Sequence, residues 1–190
     1  MGNSLWNNSY HAYYKLNEDA KYEVTNLAVA GDKIADQLTE WNYWIANTAT
    51  AAEIAALDYV IIGVGGNDIN NGPAGVGAIQ TAYQGLVDQI QSDCNATIIA
   101  STLSPNKCAT NMDATDDQEW DDFNAWMVGA FATGEPTVVI MTDNTDDLGD
   151  ASDCLLEIYW DDEDDPDYTH VNALGGQLMY QNLKAAIDSN

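Results

Sequence analysis

Basic side chains are scarce in this sequence. Its 190 residues include five lysines and arginines against 31 aspartates and glutamates, which gives a formal net charge of −26. A surface this acidic repels phosphate backbones, so the composition argues against nucleic acid as a partner. The same charge disfavours binding to anionic membrane surfaces.

Long apolar runs are also missing. No stretch approaches the roughly 18 consecutive apolar residues that a transmembrane helix needs, so we expect no membrane span. Hydrophobic residues nevertheless make up 46% of the chain, which is too many for a disordered segment. The length fits one domain, and we expect residues 1–190 to form a single soluble domain with its own core.

The acidity has two interpretations that the sequence leaves open. Acid-rich, lysine-poor chains are typical of proteins that work in high salt, where the Debye length falls to about 3 Å at 1 M and self-repulsion is screened. A secreted protein that is merely acidic is the alternative. We therefore expect an extracellular or periplasmic location, or else the cytoplasm of a salt-accumulating organism.

Cysteine is sparse as well. The three cysteines allow at most one internal disulfide. Cys108 and Cys154 fall in loop-like stretches, and we expect them to pair only if the chain is exported. The cysteine spacing is not that of a zinc site, and the acidic residues 142–167 fail the EF-hand pattern, so we expect no bound metal. A calcium-dependent adhesion domain that uses residues 142–167 is the alternative.

The apolar pattern alternates between strand-like and helix-like segments. Buried strands are predicted from short β-branched runs, and helices from apolar residues spaced three and four apart. Such alternation predicts βα units, and hence a parallel sheet that is covered on both faces. The predicted strands are 22–27, 59–64, 96–100 and 137–141, the predicted helices are 33–46, 75–91, 118–131 and 171–188, and residues 104–119 and 142–167 are predicted loops.

Residues that could take part in catalysis or binding follow the predicted strands. In α/β sheets, ligands bind at the carboxyl ends of the strands. Gly31 stands at a strand-to-helix turn, where helix starts leave N–H groups unpaired. The segment 65–68 reads Gly-Gly-Asn-Asp, so the Asn67 amide can point N–H groups into a crevice. Near the C-terminus, Asp167 precedes His170 by three residues and can accept its Nδ1–H. At the N-terminus, residues 2–5 read Gly-Asn-Ser-Leu, which places Ser4 close to a glycine.

These four blocks, in this order, resemble the SGNH/GDSL hydrolase family. The family's blocks are a nucleophilic serine in a Gly-Asp-Ser-Leu-like motif, a glycine, an asparagine in Gly-x-Asn-Asp, and Asp-x-x-His. The resemblance implies a flavodoxin-like, three-layer α/β/α fold with a central parallel sheet. Asn3 stands where the family has aspartate, and only three residues precede Ser4. We therefore expect the first strand of this fold to be missing or truncated in this sequence.

The resemblance also implies the role of each residue. Ser4 would be the nucleophile, His170 the general base, and Asp167 the carboxylate that orients His170. The backbone N–H groups of Ser4 and Gly31 and the side chain of Asn67 would form the oxyanion hole. No cofactor is required for this chemistry. Asp68 is expected to hold the loop rather than to react.

The expected activity is hydrolysis of carboxylic esters with short acyl groups, with acetylated carbohydrate as one candidate substrate. The partner would then be a small-molecule ester. Lysophospholipid or thioester hydrolysis is the alternative within the same family. A catalytically silent, glycan-binding relative is the alternative outside enzymes.

Overall fold

The computed structural model describes residues 1, 12–70, 75–105, 112–131, 139–142, 148–149, 159 and 171–189. We number the helices and strands in chain order. They are α1 (Ala12–Glu18), α2 (Ile34–Asn47), α3 (Ala51–Ala55), β1 (Tyr59–Ile62), α4 (Gly66–Asn70), α5 (Val76–Asp93), β2 (Thr97–Ser101), α6 (Ala114–Phe131), β3 (Val139–Thr142) and α7 (Ala173–Asp188).

The described strands form one parallel sheet in the order β1-β2-β3. Tyr59 is opposite Thr97 in the first pair, and Ile98 is opposite Val139 in the second. Parallel neighbours need crossover connections, and helices α4, α5 and α6 supply them. Three of the four predicted strands are thereby confirmed, because short β-branched runs suit a sheet that is buried on both faces.

One face of the sheet packs against α2, α5 and α6. Val60 and Ile62 of β1 lie in the same buried cluster as Trp41, Tyr83 and Phe123 of those helices. Ile62, Tyr83 and Phe123 are completely buried. The rings of Tyr83 and Phe123 meet edge to face with centroids 5.6 Å apart, a favoured aromatic geometry.

The other face packs against α1 and α7. Ile99 of β2 lies in a second buried cluster with Leu16 of α1 and Leu183 of α7. Successive strand residues point to opposite faces, which is why Ile98 and Ile99 enter different clusters. The sheet is thus the middle of three layers, and the predicted α/β/α fold is confirmed.

Residues 22–27 were predicted to form a strand, but the structure assigns no strand there. Residues 21–28 and residues 56–61 of the β1 region both line a cavity of about 410 Å³. A strand requires a neighbouring backbone with which to share hydrogen bonds. This segment lies beside the cavity instead, so its β-forming sequence has no ladder to join within the described part of the chain.

The predicted loop at 104–119 was too long, because α6 already begins at Ala114. The carboxylate of Asp113 accepts hydrogen bonds from the backbone N–H groups of Thr115 and Asp116, at 2.7 and 3.2 Å. The Asp113 N–H in turn donates to the Asp116 carboxylate at 3.0 Å. The acidic residues therefore cap a helix, a role that aspartate performs well at a helix N-terminus.

Candidate active site

Gly31 lies in the loop that leads into α2. Its φ angle is 87°, a conformation that L side chains rarely adopt, and it is exposed. Asp32 closes a turn by donating its N–H to the Val29 carbonyl at 3.3 Å. The buried Gln37 holds this loop from α2, because its side-chain amide donates to the Asp32 carboxylate and to the Leu27 carbonyl. The Gly31 backbone is therefore held in place on an exposed turn.

Gly65 lies between β1 and α4, in a position that only glycine fits. Its φ angle is 131°, and a Cβ atom there would come within 2.9 Å of Cε1 of the buried Phe123 ring. The Gly65 carbonyl accepts the N–H groups of Asp68 and Ile69, at 3.0 and 3.3 Å. These bonds form the first turn of α4 directly after the carboxyl end of β1. Position 65 requires glycine because of its contact with Phe123, a residue that is distant in sequence.

Asn67 joins the two loops. Its Nδ2 donates a hydrogen bond to the backbone carbonyl of Asp32 at 3.0 Å. Asp32 follows Gly31 directly, so the two predicted oxyanion-hole residues are brought together at the carboxyl end of β1. An asparagine amide carries two hydrogens, and this bond uses one of them. Among the residues that the structure describes, the second hydrogen makes no hydrogen bond.

Asp68 makes the next connection along the same helix. Its carboxylate accepts the backbone N–H of Ile34, the first residue of α2, at 3.1 Å. Desolvation by burial raises the pKa of Asp68, while the Ile34 hydrogen bond and the positive charge of Lys33 oppose that rise. The contact agrees with the expected structural role, because a carboxylate at a helix N-terminus stabilises the helix.

The first residue of the chain lies at the same edge of the sheet. The Met1 amino group donates to the Ile61 carbonyl at 2.8 Å, and the Gly63 N–H donates to the Met1 carbonyl at 3.1 Å. These two bonds are the pattern of one residue pairing in a parallel ladder. Met1 therefore lies beside β1, opposite Ile62 in parallel register.

The other predicted site residues lie outside the described part of the chain. These are Ser4, Asp167 and His170, together with Cys108 and Cys154. The chain is described again from Val171, where Asn172 caps α7 by accepting the N–H groups of Leu174 and Gly175, at 2.9 and 3.1 Å. The structure thus brings together Gly31 and Asn67 of the predicted site.

Sequence reasoning missed two residues that shape this site. Asp32 provides the carbonyl that holds Asn67, and its neighbour Gly31 was the only available signal for it. Gly65 was predicted only to allow a tight turn, whereas the structure makes it a close-packed position against Phe123. Burial raises the pKa of the Asp32 carboxyl, and the hydrogen bond from Gln37 opposes that rise.

These features define a three-layer α/β/α protein with hydrogen-bond donors grouped at the carboxyl edge of its sheet. A sequence profile described as the GDSL-like Lipase/Acylhydrolase family matches residues 1–178, and the chain belongs to this family. A search of curated proteins found no match. Among the described residues, no helix is both long enough and apolar enough to cross a membrane.

Solved structures share the fold at low sequence identity. A GDSL-like lipase from Bacteroides thetaiotaomicron is 15% identical with a TM-score of 0.75, and the match covers 100% of this chain and 86% of that one. A member of the lipolytic protein G-D-S-L family from Veillonella parvula is 16% identical with a TM-score of 0.74, covering 100% and 96%. The OSK domain of Drosophila Oskar is 13% identical with a TM-score of 0.68, covering 99% and 86%.

Proposed function

We propose that this chain is a serine esterase that hydrolyses carboxylic esters with short acyl groups. The observation that carries the proposal is the hydrogen bond from Asn67 to the Asp32 carbonyl, which brings an amide donor beside the exposed Gly31 turn. Two independent N–H donors next to one another are what a developing oxyanion needs. Membership of a lipase and acylhydrolase family supports the same class of reaction.

The proposed mechanism uses Ser4, His170 and Asp167. His170 takes the proton from Ser4 Oγ as that oxygen bonds to the ester carbonyl carbon, and Asp167 stabilises the imidazolium that results. The carbonyl electron pair moves to oxygen, which accepts hydrogen bonds from the Gly31 and Ser4 N–H groups and from the Asn67 amide. The carbon–alkoxide bond then breaks, and His170 returns the proton to the leaving alcohol. Water hydrolyses the acyl-enzyme by the same steps.

Chain connectivity supports bringing Ser4 to this edge. Met1 is held beside Gly63, and three further residues of extended chain reach about 11 Å at most. His170 directly precedes Val171, which is completely buried in the core against α7. Both proposed reacting groups are therefore tethered to the sheet and to α7 by short segments.

The proposed substrates are neutral esters of short acids, with acetylated carbohydrate as the natural candidate. A net charge of −26 disfavours anionic esters by long-range repulsion. An uncharged acetylated sugar meets no such penalty. Long-chain lysophospholipids and acyl thioesters would be competing substrates of the same site.

The first test is hydrolysis of p-nitrophenyl acetate, at low salt and in molar NaCl, by the chain and by Ser4→Ala. We expect activity to vanish in Ser4→Ala. Labelling of the chain by an organophosphonate probe, and its loss in Ser4→Ala, separates an enzyme from a silent glycan-binding relative. Equal rates and equal labelling in both proteins would contradict Ser4 as the nucleophile.

Asn67→Ala tests the oxyanion hole itself. Removal of one such donor typically lowers kcat by about 10²–10³ with a smaller effect on KM. Gln84→Ala is the matched control, because Gln84 is an exposed helical amide that bonds to Asp88 on α5, away from the site. A fall in kcat of similar size in both variants would argue against a specific role for Asn67.

A further inference from the structure

A polar side chain interrupts the apolar stripe of α2. The buried residues of this helix recur at the three- and four-residue spacing of one helix face, and they are Ile34, Gln37, Trp41 and Trp44. Gln37 is completely buried. An amide costs free energy in such a position unless it is hydrogen-bonded, whereas an apolar side chain would fill the stripe without that cost. The hydrogen bonds of Gln37 therefore indicate which part of the molecule the amide serves.

Gln37 ties together the two ends of the segment that carries Gly31. Its Nε2 donates one hydrogen bond to the Leu27 carbonyl, at 3.3 Å, and another to the Asp32 carboxylate. An amide nitrogen carries two hydrogens, so these bonds use both of them. Within the segment, the Asp32 N–H closes a turn on the Val29 carbonyl at 3.3 Å. One buried nitrogen on α2 thus holds the turn at both of its ends.

Asp32 links this support to Asn67. The Asp32 carboxylate accepts from Gln37, while its backbone carbonyl accepts from Nδ2 of Asn67 at 3.0 Å. The position of Asp32 therefore affects both the Gly31 backbone, which precedes it, and the Asn67 amide. These are two of the donors of the proposed oxyanion hole. A displacement of about 1 Å in a catalytic site can lower the rate by about 10²-fold.

We propose that Gln37 is a positioning residue that holds the oxyanion hole in place through Asp32, an inference that rests on the proposed esterase function. Gln37 acts on kcat without touching the substrate. A residue that only stabilised the fold would change kcat through the folded fraction of the chain, and hence only at temperatures near Tm. The two roles therefore predict different results well below Tm.

The first test is Gln37→Met, which keeps the length of the side chain and removes both hydrogens. Well below Tm, we expect kcat to fall by about 10–10²-fold while KM changes by less than about twofold. Methionine fills the apolar stripe of α2, so the variant should stay folded. An unchanged kcat in Gln37→Met would overturn the proposal.

Gln89→Met is the matched control. Gln89 is partly buried and donates its amide to the Asp93 carboxylate at 2.9 Å, so the two glutamines make the same kind of bond. It lies near the end of α5, which leads into the amino end of β2, at the edge of the sheet opposite the proposed site. We expect kcat to stay the same in this variant, and an equal fall in both variants would overturn the proposal.

Gln37→Glu makes the same link depend on pH. The new carboxyl would lie within hydrogen-bonding distance of the Asp32 carboxyl, and two carboxyls this close share a proton until the second one ionises. Repulsion between the ionised pair should then displace the turn. We expect the kcat of Gln37→Glu, relative to that of the unaltered chain, to fall by about 10–10²-fold between about pH 5 and pH 9.

Other charged groups lie near this pair. In the part of the chain that the structure describes, they are Asp36 and Glu40 of α2, Asp68 of α4, and Lys33. Burial raises the pKa of the Asp32 carboxyl, the Gln37 hydrogen bond opposes that rise, and the charges of Asp36 and Glu40 add to it. These groups are the same in every variant, so a comparison among the variants isolates the Asp32 pair.

The double substitution of Asp32→Asn with Gln37→Glu exchanges the amide and the carboxyl. It restores one donor and one acceptor, and the Leu27 carbonyl loses its donor in the single and the double variant alike. We expect the double variant to lose the pH dependence of kcat that Gln37→Glu alone introduces. A pH dependence that persists in the double variant would overturn the link through Asp32.

A measurement without substrate separates this inference from the esterase proposal. In Gln37→Glu, the NMR resonances of the Gly31 N–H and of the Asn67 side-chain amide should shift with pH as the pair ionises. An inactive chain in which both resonances shift would refute the esterase function but keep Gln37 as the residue that positions these two donors. Resonances that stay fixed would overturn the proposal, whether or not the chain is active.

Discussion

Replacement of Gly65 by alanine tests the packing that places α4 above the sheet. Two costs arise at this position. A φ angle of 131° lies in a region that costs a non-glycine residue about 1–3 kcal/mol. The new Cβ would lie 2.9 Å from Cε1 of Phe123, whose side chain is completely buried and has little room to retreat, and such overpacking costs about 1–3 kcal/mol.

An effect of alanine on the unfolded chain offsets part of these two costs. Alanine stabilises by about 0.4–1 kcal/mol relative to glycine, because it restricts the unfolded chain. We therefore expect Gly65→Ala to lower the free energy of unfolding by about 1–6 kcal/mol, measured by urea denaturation with tryptophan fluorescence. For a chain of this size, each kcal/mol corresponds to a change of about 2–4 °C in Tm.

Two glycines provide matched controls. Gly31 also has a positive φ angle, but a Cβ there would meet nothing within 4 Å, so Gly31→Ala should cost only the backbone strain of about 1–3 kcal/mol, less the same gain from restricting the unfolded chain. Gly77 lies in α5 with open space around it, and Gly77→Ala should stabilise by about 0.5–1 kcal/mol. Phe123→Leu should make Gly65→Ala less costly. If Gly65→Ala costs no more than Gly31→Ala, the close-contact argument is wrong.

Three further predictions concern charge. Burial lowers the pKa of the Met1 amine from 8.0 to about 5 in the folded state. Between these pH values the unfolded state binds more protons, so the free energy of unfolding should rise by up to about 4 kcal/mol from pH 5 to pH 8. Nα-acetylation should abolish this pH dependence, measured by urea denaturation at each pH. Burial raises the folded pKa of Asp68, so ionisation of this carboxyl should reduce the free energy of unfolding as pH rises through that pKa. Asp68→Asn should remove this pH dependence of the free energy of unfolding. Asp68→Ala should cost about 1–2 kcal/mol at all pH values, because the Ile34 N–H loses its acceptor. Added NaCl should raise Tm by screening the net charge of −26, and a Tm that stays flat to molar salt would count against this.

The sheet was predictable where local pattern alone decides it. β1, β2 and β3 are short β-branched runs, and each is a strand close to its predicted position. Residues 22–27 have similar chemistry but form no strand, because strand formation depends on a neighbouring backbone that sequence pattern cannot supply. The acidic residues around Asp113 were predicted to form a loop, but Asp113 caps α6.

The site was predictable as a set of residue types but not as contacts. Gly31 and Asn67 were candidates from the residues that follow predicted strands. Their proximity depends on the Asn67 bond to Asp32, which joins residues 35 positions apart. The need for glycine at 65 depends on a phenylalanine on a helix much later in the chain. Ser4, Asp167 and His170 stay predictions.

The paired bonds of α4 have a consequence for protein engineering. Asn67 and Asp68, adjacent on one short helix, hold the Asp32 carbonyl and the Ile34 N–H respectively. The turn around Gly31 and the segment 65–68 are thus one unit for mutagenesis. Libraries that vary substrate range, or chimaeras that exchange segments with a relative, should carry both stretches together, because substitutions on the two sides of a shared hydrogen bond are not additive.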